Sequence, residues 1–526
     1  MADELDAIVI GGGHNGLVAA AYLAKAGLRA LVLEQRGVVG GAAVTEEPWP
    51  GFRISTFSYA AGLLRPQIVT DLELRRFGYQ TYLLDPEMFV PLPDGRSLTL
   101  WNDDERTAQE IAHFSERDAR AYPKYSQFWT EVIELLDPLL LSPPVPLPQL
   151  LDLVPDDRVE ALVRDLFLRS AADLLDEWFE SEELKGALCT SAIIGTFLPP
   201  DAPGTAYVLA HHKLGNVDGH PKSWGLARGG MGGIAQALRR SAEHFGATVR
   251  TAAKVRQVIV RDGRAVGVEL EGGERLNARA VASSLDARHT FLELLPADAL
   301  SGEFHRQVAS IRSRGSALKF NAALDGLPDF TASPGAPAPH HRGFIDIIPD
   351  MDYARVAYDD AWHGRFSRRP FMDIVFQSVL DDSVAPPGKH TMSCFVQYAP
   401  TRLEGTTWDA AKPGVAETVL DTIQEYAPNI RNVVRRWQVV SPTDIESILG
   451  MTGGNIFQGD ITPDQIFTFR PVPGWSQYRT PVAGFYLAGS AAHPGGGVLG
   501  APGHNAAAII LEDLGHPLTG SQVRTR

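Results

Sequence analysis

Cysteine is scarce in this sequence, and that scarcity narrows the redox chemistry. The 526 residues contain two cysteines, Cys189 and Cys394, far apart along the chain. Because no C-x-x-C pair is present, a disulfide reductase with a redox-active cysteine pair is excluded, and no zinc-type spacing is found. We expect both cysteines to be small buried apolar residues. The paired histidines His211 and His212 have no carboxylate at metal-ligand spacing, so no metal site is expected.

Long apolar runs and an excess of positive charge are also lacking. No uninterrupted apolar stretch reaches the roughly 20 residues of a spanning helix. The formal net charge of −15 argues against nucleic acid as a partner, because its phosphates would be repelled. The amino terminus carries neither a basic n-region nor an Arg/Ser-rich segment, so we expect no signal or transit peptide and a cytoplasmic location.

The sequence does contain a dinucleotide-binding pattern near its start. An apolar run at 7–10 is followed by G-x-G-x-x-G at Gly11, Gly13 and Gly16, and then by a predicted helix and a second strand. Such glycines allow a tight turn, close approach of the backbone to phosphates, and close helix packing. Glu34, about 20 residues on, is placed to bind the ribose hydroxyls and would repel a 2′-phosphate, which disfavours NADP. A turn without ligand is the alternative.

A second glycine-rich loop near the end of the chain favours FAD over NAD. The stretch "GFYLAGSAAHPGGGVLGAPGHNAA" predicts a short strand at 485–488, a loop, and a helix from about Ala501. Gly40 and Gly41 add a further glycine pair just after Glu34. A cofactor as long as FAD requires contacts this far apart in sequence, whereas NAD usually does not.

The chain as a whole predicts an α/β fold with a Rossmann-type FAD-binding domain, a discontinuous α+β substrate domain and a helical cap. Helical spacing dominates 105–141, and valines flanking Asp262-Gly263 predict a hairpin. The glycine pairs at 229–233 lack the G-x-G-x-x-G order, so no second, NADPH-binding unit is expected. The predicted pieces are 1–70, 224–290 and 476–526 for the FAD-binding domain, 71–223 for the helical cap, and 291–475 for the β-rich substrate domain.

Residues 135–155 combine strong apolarity with many prolines. The prolines are expected to break any helix here, which excludes a spanning segment. They are Pro138, Pro143, Pro144, Pro146 and Pro148. Two interpretations stay open: a packed connection within the cap, or an apolar lid or peripheral membrane-docking segment that admits an apolar substrate.

An ordered set of motifs resembles the phytoene desaturase-related FAD-dependent oxidoreductases. The set comprises "GGGHNGLVAAAYLAKAG", "LEQRGVVGGAA", "GGMGGIAQAL", "GGNIFQGD" and the C-terminal block, so the resemblance spans nearly the full length. The first motif occurs in many flavoproteins, whereas "AHPGGGV" is more specific. The resemblance implies a non-covalent FAD beneath a substrate domain, and a desaturation or isomerisation of long polyenes in the carotenoid-type members.

The same resemblance implies which residues contact FAD. Val255, at the start of the hairpin, would hold the adenine through its backbone. No cysteine follows Cys394, so a covalent flavin–cysteine link is not expected. By their positions in the motifs, the other contacts would be Gly11, Gly13, Gly16, Glu34, Arg36, Gly40, Gly41, Gly489 and Val498.

Two polar residues are candidates for the chemistry. His493 lies in the loop that should run beside the flavin, and a histidine exchanges protons near neutral pH. Asn455, in "TGGNIFQGD", is a candidate substrate- or flavin-facing group. For each the alternative is structural: His493 shapes its loop, and Asn455 forms a turn.

Three functions remain open from the sequence. The first is an FAD-dependent desaturase, dehydrogenase or isomerase of an apolar, carotenoid- or isoprenoid-like substrate, with hydride transfer at flavin N5 and oxygen or a quinone as electron acceptor. The second is an FAD-dependent amine or alcohol oxidase that uses oxygen. The third is a flavoprotein with a mainly binding or regulatory role. No Ser-His-Asp order with a nucleophile elbow supports hydrolysis.

Overall fold

Two seven-stranded sheets form the framework of the protein. The structure is a computed structural model that describes residues 5–146, 149 and 157–516. The first sheet has the order Thr248–Arg250, Ala30–Leu33, Leu5–Ile10, Arg275–Ser283, Arg264–Leu270 and Val255–Arg261, with Phe485–Leu487 also paired to Arg275–Ser283. The second has the order Val434–Val440, Ala317–Leu324, His390–Gln397, Phe371–Val375, Phe344–Ile347, Met88–Pro91 and Ser97–Leu100. Three two-stranded ribbons pair Gly225–Ala227 with Thr81–Leu83, Thr45–Trp49 with Phe52–Ser55, and Asn216–Val217 with His220–Pro221.

Helices connect and cover these strands. The α-helices are His14–Lys25, Pro66–Asp71, Asp104–Ile111, Glu116–Leu140, Asp157–Val163, Ala171–Trp178, Glu182–Ile193, Thr205–Lys213, Met231–His244, Gly302–Ala309, Met351–Trp362, Trp408–Tyr426, Ile430–Val433, Pro442–Leu449 and Ala501–Asp513. The 3₁₀ turns are Leu74–Phe77, Pro339–Arg342, Gln377–Val379, Thr452–Gly454, Pro463–Gln465 and Phe467–Phe469, and the π-helical turns are Arg164–Leu168 and His289–Glu293.

Parts of the chain that are far apart in sequence build the first sheet. Leu5–Ile10 pairs in parallel with Ala30–Leu33 on one side and with Arg275–Ser283 on the other. Every residue of Ala30–Leu33 is buried, as expected for a parallel strand that is covered on both faces. The helix His14–Lys25 packs against the two helices Met231–His244 and Ala501–Asp513. The predicted α/β fold with a Rossmann-type domain is therefore confirmed.

The predicted hairpin is present beside this sheet. Val255–Arg261 and Arg264–Leu270 pair in antiparallel fashion, and Asp262 and Gly263 between them have φ values of 49° and 72°. Positive φ at both turn positions is the type I′ geometry, which asparagine or aspartate followed by glycine adopts readily. The third strand of this unit, Arg275–Ser283, pairs with the first strand of the chain, Leu5–Ile10.

Side chains alternate between two environments across the second sheet. Along Ala317–Leu324, one face carries Leu318, Phe320 and Ala322, which join the apolar core that the helix Trp408–Tyr426 covers. The period of two places Lys319 on the opposite face. That opposite face is turned toward the first sheet and the cap, and it carries the polar groups described below.

Two strands of the second sheet lie in the range that was predicted as helical cap. The strands Met88–Pro91 and Ser97–Leu100, inside the range predicted as helical cap, complete the second sheet, because Met88 and Phe89 pair in parallel with Phe344 and Ile345. The boundaries proposed for the five domain pieces stay a prediction.

The expectation that Pro138 breaks a helix is wrong. Pro138 lies inside Glu116–Leu140, two residues before its end, so few hydrogen bonds are affected. The buried residues Val132, Leu136 and Leu140 hold this last part of the helix in the cap core. Pro143, Pro144 and Pro146 do follow in non-helical backbone, as expected.

The rest of the proline-rich segment is described only in part. Residues 147, 148 and 150–156, including Pro148, lie outside the described residues, so the lid and membrane-docking interpretation of 135–155 stays a prediction. Asn505 Nδ2 donates to the carbonyls of Leu140 and Ser142, which ties the described part to the C-terminal helix. Within the described chain, no helix has the length and apolarity needed to cross a membrane.

Candidate functional site

The amino-terminal end of helix His14–Lys25 opens into a large cavity. Gly11, with φ of 96°, makes the turn after the first strand, and Gly13 is the N-cap residue. No side chain caps the helix, and its first turn has no acidic residue. The unpaired N–H groups and the positive end of the helix dipole therefore remain available for an anion such as a pyrophosphate.

The three glycines of the first motif differ in what surrounds them. A Cβ on Gly13 would have nothing nearer than the Gly41 Cα, at 4.0 Å, so the space beside Gly13 is open to a ligand. A Cβ on Gly16 would lie 2.1 Å from the Gly11 carbonyl oxygen, so Gly16 serves close packing of helix on strand. Similar tight contacts surround Gly40, at the Ala43 carbonyl oxygen, and Gly489, at the Ser284 carbonyl oxygen.

Glu34 and Arg36 bring charge to this end of the cavity. Glu34 is 6% exposed, and its two carboxylate oxygens accept hydrogen bonds from the N–H groups of Gly12 and Arg36, each at 2.8 Å. The Arg36 guanidinium pairs with Glu46, while its Nη1 is buried and has no partner. A buried, unpartnered guanidinium nitrogen beside an open helix terminus fits a dinucleotide that brings its own acceptor atoms.

The structure places most of the predicted FAD contacts on one cavity surface. Gly16, Gly40 and Gly489 are outside the lining and act in backbone packing. Val498 comes from the C-terminal loop, with φ of 61°, and Val255 comes from the hairpin. The predicted contacts that line the cavity are Gly11, Gly13, Glu34, Arg36, Gly41, Val255 and Val498. Both glycine-rich loops thus face one space, which fits a cofactor as long as FAD.

The far end of the same cavity meets the second sheet at a row of four side chains. Asp346 lies directly opposite Asp373, which lies opposite Phe395, which lies opposite Lys319, on four adjacent strands. Because directly paired residues point to the same face of a sheet, all four project together, and all four line the cavity. We call these four residues the polar row.

Tyr59 lies over the polar row and joins its members. Its hydroxyl donates to Asp373 Oδ2 at 2.6 Å, and its ring stacks on Phe395 at a centroid distance of 5.8 Å. Lys319 Nζ lies 3.9 Å from the Tyr59 ring centroid and donates to Ser393 Oγ at 2.6 Å. These contacts fix the amine in place without a carboxylate partner among the ion pairs of the described residues.

Burial controls the protonation of the polar row. Lys319, Asp346 and Asp373 are 2%, 1% and 3% exposed. Burial lowers the pKa of Lys319 to about 7. Burial raises the pKa of Asp373 to about 7, against the opposing effects of the Tyr59 hydrogen bond and the Lys319 charge. Burial raises the pKa of Asp346 well above its usual range, the Asp373 charge adds to that rise, and a hydrogen bond with the Thr190 side chain opposes it. The row can therefore hold and exchange protons near neutral pH.

Apolar side chains surround the polar row. They come from the loop around Tyr59, from the second sheet and from the cap, and they include Leu63, Met88, Ile194, Trp224, Phe344 and Phe457. Such a mainly apolar lining with few polar groups is typical of a small-molecule site. The arrangement suits a ligand with an apolar body.

Neither predicted catalytic residue reaches the cavity surface. His493 is buried, its Nε2 hydrogen-bonds the Leu139 carbonyl at 3.1 Å, and burial lowers its pKa to about 4. Asn455 donates to the Arg314 carbonyl and Asp460, and accepts from the N–H groups of Phe457 and Gly459. Both sets of contacts match the structural alternatives, and neither residue is among those that line the cavity.

Arg470 links these two loops through hydrogen bonds. Its buried guanidinium donates to the carbonyls of Ser490, Phe457, Gly459 and Gln465. It therefore joins the loop of Asn455 to the loop of His493. Arg470, in the stretch "FRPVP", was not among the residues predicted from the sequence.

The polar row was not among the site residues predicted from the sequence. Its signal was present, since a single charged residue interrupts each of three apolar runs, "ALKFNAAL", "FIDI" and "FMDIV". Charged residues are almost never fully buried without a partner or a function, so such interruptions mark a candidate site. The two cysteines are free and buried, as expected. Among the residues that the structure describes, no group of three or more His, Cys, Asp or Glu side chains could hold a metal ion.

Comparisons with known proteins agree with this architecture. The NAD(P)-binding Rossmann-like domain family matches residues 9–71. Pyridine nucleotide-disulfide oxidoreductase domain-containing protein 2 of Rattus norvegicus is 42% identical over 97% of this chain and 94% of its own length. Phytoene desaturase (lycopene-forming) of Pseudescherichia vulneris is 25% identical over 96% of this chain and 99% of its own. The resemblance to phytoene desaturases is therefore confirmed, as a distant relationship.

A solved structure extends the likeness in fold. Cyclohexylamine oxidase from Brevibacterium oxydans aligns with a TM-score of 0.58 and 18% identity, over 97% of this chain and all of that chain. At this identity the likeness concerns the fold alone. The two curated relatives are named as an oxidoreductase-domain protein and a desaturase, which are both oxidoreductase names.

Proposed function

This chain belongs to the family of pyridine nucleotide-disulfide oxidoreductase domain-containing protein 2, and from that membership we propose that it is an FAD-dependent oxidoreductase of a small molecule with an apolar body. The observation that carries the proposal is the single cavity that runs from the open end of helix His14–Lys25 to the polar row. Cofactor and substrate would share this space. Phytoene desaturase, a distant relative, is named for an apolar isoprenoid and supports the apolar class.

The residues that would hold FAD come from separate parts of the chain. Gly13 and the helix terminus would bind the pyrophosphate, and Glu34 would accept hydrogen bonds from the ribose hydroxyls. Val255 would hold the adenine, and Val498 would lie toward the opposite end of the cofactor. We propose a non-covalent FAD, because the cysteines Cys189 and Cys394 are buried and outside the cavity lining.

The disulfide chemistry in the relative's name is not carried over to this chain. Cys189 and Cys394 do not form a disulfide in the structure, and both are fully buried. Burial in apolar surroundings raises the pKa of each thiol far above its usual range, so neither is a reactive thiolate. A dithiol reaction therefore has no support.

The proposed reaction removes a hydride and a proton from the substrate, which forms a double bond. Bound FAD supplies the hydride acceptor for this step. The two electrons pass on to oxygen, giving hydrogen peroxide, or to a quinone, giving a quinol. Lys319 Nζ lines the cavity and has a pKa near 7, so it can take up the released proton. The apolar wall around it excludes water from the reacting carbon.

A second candidate function is an oxidase of an amine or alcohol. The two buried carboxyl groups of Asp346 and Asp373 favour it, because a purely hydrocarbon substrate would leave Oδ1 of each without a partner. In this case the double bond would form between carbon and nitrogen, or between carbon and oxygen, with the same release of a hydride and a proton.

The visible spectrum of the purified protein is the first test. We expect flavin absorbance, and release of all the flavin when the protein is denatured with acid, because the cofactor is non-covalent. Absence of flavin after addition of FAD would overturn the proposal. The photoreduced protein is then mixed with oxygen or with a short-chain quinone. Reoxidation by quinone that outpaces reoxidation by oxygen favours a desaturase or dehydrogenase, and fast reoxidation by oxygen favours an oxidase.

A further inference from the structure

We propose that the polar row is a head-group subsite, which binds an amino or hydroxyl group at one end of an otherwise apolar substrate. The inference rests on the proposed function, because it specifies the substrate of the same cavity. It concerns the binding of the substrate rather than the chemistry, so it can be tested separately from turnover.

The first argument is the presence of two unpartnered acceptors on one wall. Asp346 Oδ1 and Asp373 Oδ1 are buried and have no hydrogen-bond partner. The two residues are directly paired on adjacent strands, so their side chains are neighbours on the same face. Buried polar atoms in native proteins are nearly always paired, and each exception requires an explanation. A ligand that donates hydrogen bonds here would supply one.

The second argument is that the donors nearby are directed mainly at groups of the chain itself. The Tyr59 hydroxyl donates to Asp373 Oδ2, and the Lys319 amine donates to Ser393 Oγ while resting on the Tyr59 ring. The Thr190 side chain forms a hydrogen bond that lowers the pKa of Asp346, yet Oδ1 of each carboxyl group has no partner. Because burial favours the neutral carboxyl form, these groups can donate as well as accept, and a hydroxyl group or a neutral amino group can meet either need.

The third argument is the contrast between the row and its surroundings. Trp224, Phe344 and Met88 give the cavity an apolar wall beside the carboxyl groups, while Glu87 and Thr190 are polar lining residues that act on Asp346. A molecule with an apolar body and a single donor end satisfies both parts. A pure hydrocarbon would fill the space but would leave the acceptors unpaired, at a cost of roughly tenfold in affinity.

Three ligands of nearly equal size test this inference. Benzylamine, benzyl alcohol and toluene share one ring and differ only in the head group. Their dissociation constants are measured by isothermal titration calorimetry on the FAD-loaded protein at pH 7.5. We expect benzylamine or benzyl alcohol to bind about tenfold more tightly than toluene, and the tighter of the two identifies the head group. Toluene binding as tightly as both would overturn the proposal.

A substitution at Asp346 tests whether its carboxyl group causes the preference for a polar head group. In Asp346→Leu an apolar side chain of similar size replaces the side chain whose Oδ1 has no hydrogen-bond partner. We expect the preference to reverse, so that toluene binds more tightly than the polar ligands, an outcome that general loss of structure cannot produce. Ile345→Val is the control, because Ile345 is on the same strand but in the core on the opposite face. An unchanged preference in Asp346→Leu would overturn the assignment.

The calorimetric readout separates this inference from the proposed function. Binding preference requires no electron transfer, so it is measured whether or not the ligands reduce the flavin. A protein that binds no FAD would contradict the proposed function, and the titration carried out on that flavin-free protein would still decide whether the row prefers a polar head group. A protein that binds FAD but shows no preference would contradict only the subsite.

Discussion

The two ends of the cavity use different kinds of polar group. At the end formed by Gly11 and Gly13, the donors beside the open space are backbone N–H groups, and the buried Glu34 carboxylate is itself paired with two backbone N–H groups. At the other end, the polar atoms belong to side chains, those of Lys319, Asp346 and Asp373, which are nearly inaccessible to solvent. The first end requires empty space, and the second requires ionisable groups held away from water.

This difference determines how each end is stabilised. Backbone donors at a helix terminus come with the fold and bury no full charge. Ionisable side chains inside a protein carry a desolvation cost, and here that cost appears as shifted pKa values. Substitutions at the first end should therefore change cofactor affinity at little cost to folding, whereas those at the polar row should change folding stability in a pH-dependent way.

Gly13→Val is the strongest test of the first half of this comparison. The added side chain would enter the space that lies open beside Gly13 and would block the backbone approach to the pyrophosphate. We expect FAD affinity to fall by about 1,000-fold, or about 4 kcal/mol, while the melting temperature of the apoprotein stays within about 2 °C of wild type. Flavin fluorescence titration and thermal unfolding measure the two quantities.

Two neighbouring glycines serve as controls. A side chain on Gly16 would lie against the Gly11 carbonyl oxygen, so Gly16→Val should destabilise the apoprotein itself. Gly37 has open space around it and is absent from the cavity lining, so Gly37→Ala should keep FAD affinity within about twofold. Normal FAD affinity in Gly13→Val would show that the cofactor lies elsewhere.

Lys319→Met tests the second half. Burial lowers the pKa of Lys319 to about 7, against about 10.4 in an unfolded chain. Between these pH values the unfolded chain binds a proton that the folded chain does not, so the destabilising effect is complete below about pH 7 and fades as the pH rises toward 10.4. We expect methionine to raise the free energy of unfolding by about 2–3 kcal/mol at pH 6.5, and by much less at pH 9.5.

Urea unfolding at the two pH values checks this expectation. Lys124 is exposed, so Lys124→Met should change the free energy of unfolding by no more than about 0.5 kcal/mol at either pH. If Lys319→Met raises the free energy of unfolding by the same amount at both pH values, the stabilisation comes from packing rather than from removal of the buried amine.

The same contrast explains what could be predicted from the sequence. Gly11, Gly13 and Glu34 lie on one short strand–helix–strand unit, where spacing alone fixes their relative positions. The polar row depends on the register of four strands, and its residues lie up to 76 positions apart in sequence, from Lys319 to Phe395. Register follows from tertiary packing.

His493 and Asn455 illustrate the opposite case. Both are on glycine-rich loops in specific motifs, which suggested chemistry, but burial beside Arg470 makes them part of the loop framework. A motif identifies a loop that matters, without showing which of its side chains reach the cavity. That requires the packing of distant segments, such as the Leu139 carbonyl that His493 contacts.

Glu34→Gln sharpens the comparison with a smaller effect at the cofactor end. Both carboxylate oxygens of Glu34 accept backbone N–H groups, so a glutamine would set its amide N–H₂ against one of these donors. We expect about a tenfold loss of FAD affinity, measured by fluorescence titration, because the loop that binds the ribose loses one charge-assisted hydrogen bond. Unchanged FAD affinity would mean that Glu34 only stabilises the turn of its own loop.

His493→Gln should have the smallest effect, and it separates the loop framework from both ends of the cavity. Burial lowers the pKa of His493 to about 4, so the imidazole is neutral throughout pH 6–9 and cannot supply a titrating group there. Its Nε2 contact with the Leu139 carbonyl is one that a glutamine amide can reproduce. We therefore expect FAD affinity and the rate of flavin reoxidation to stay within about twofold of wild type, with the same pH profile, and the free energy of unfolding at pH 7.5 to fall by no more than about 1 kcal/mol. A reoxidation rate that drops tenfold or more at full flavin content would instead return His493 to a catalytic role, and would imply that the C-terminal loop opens toward the cavity during the reaction.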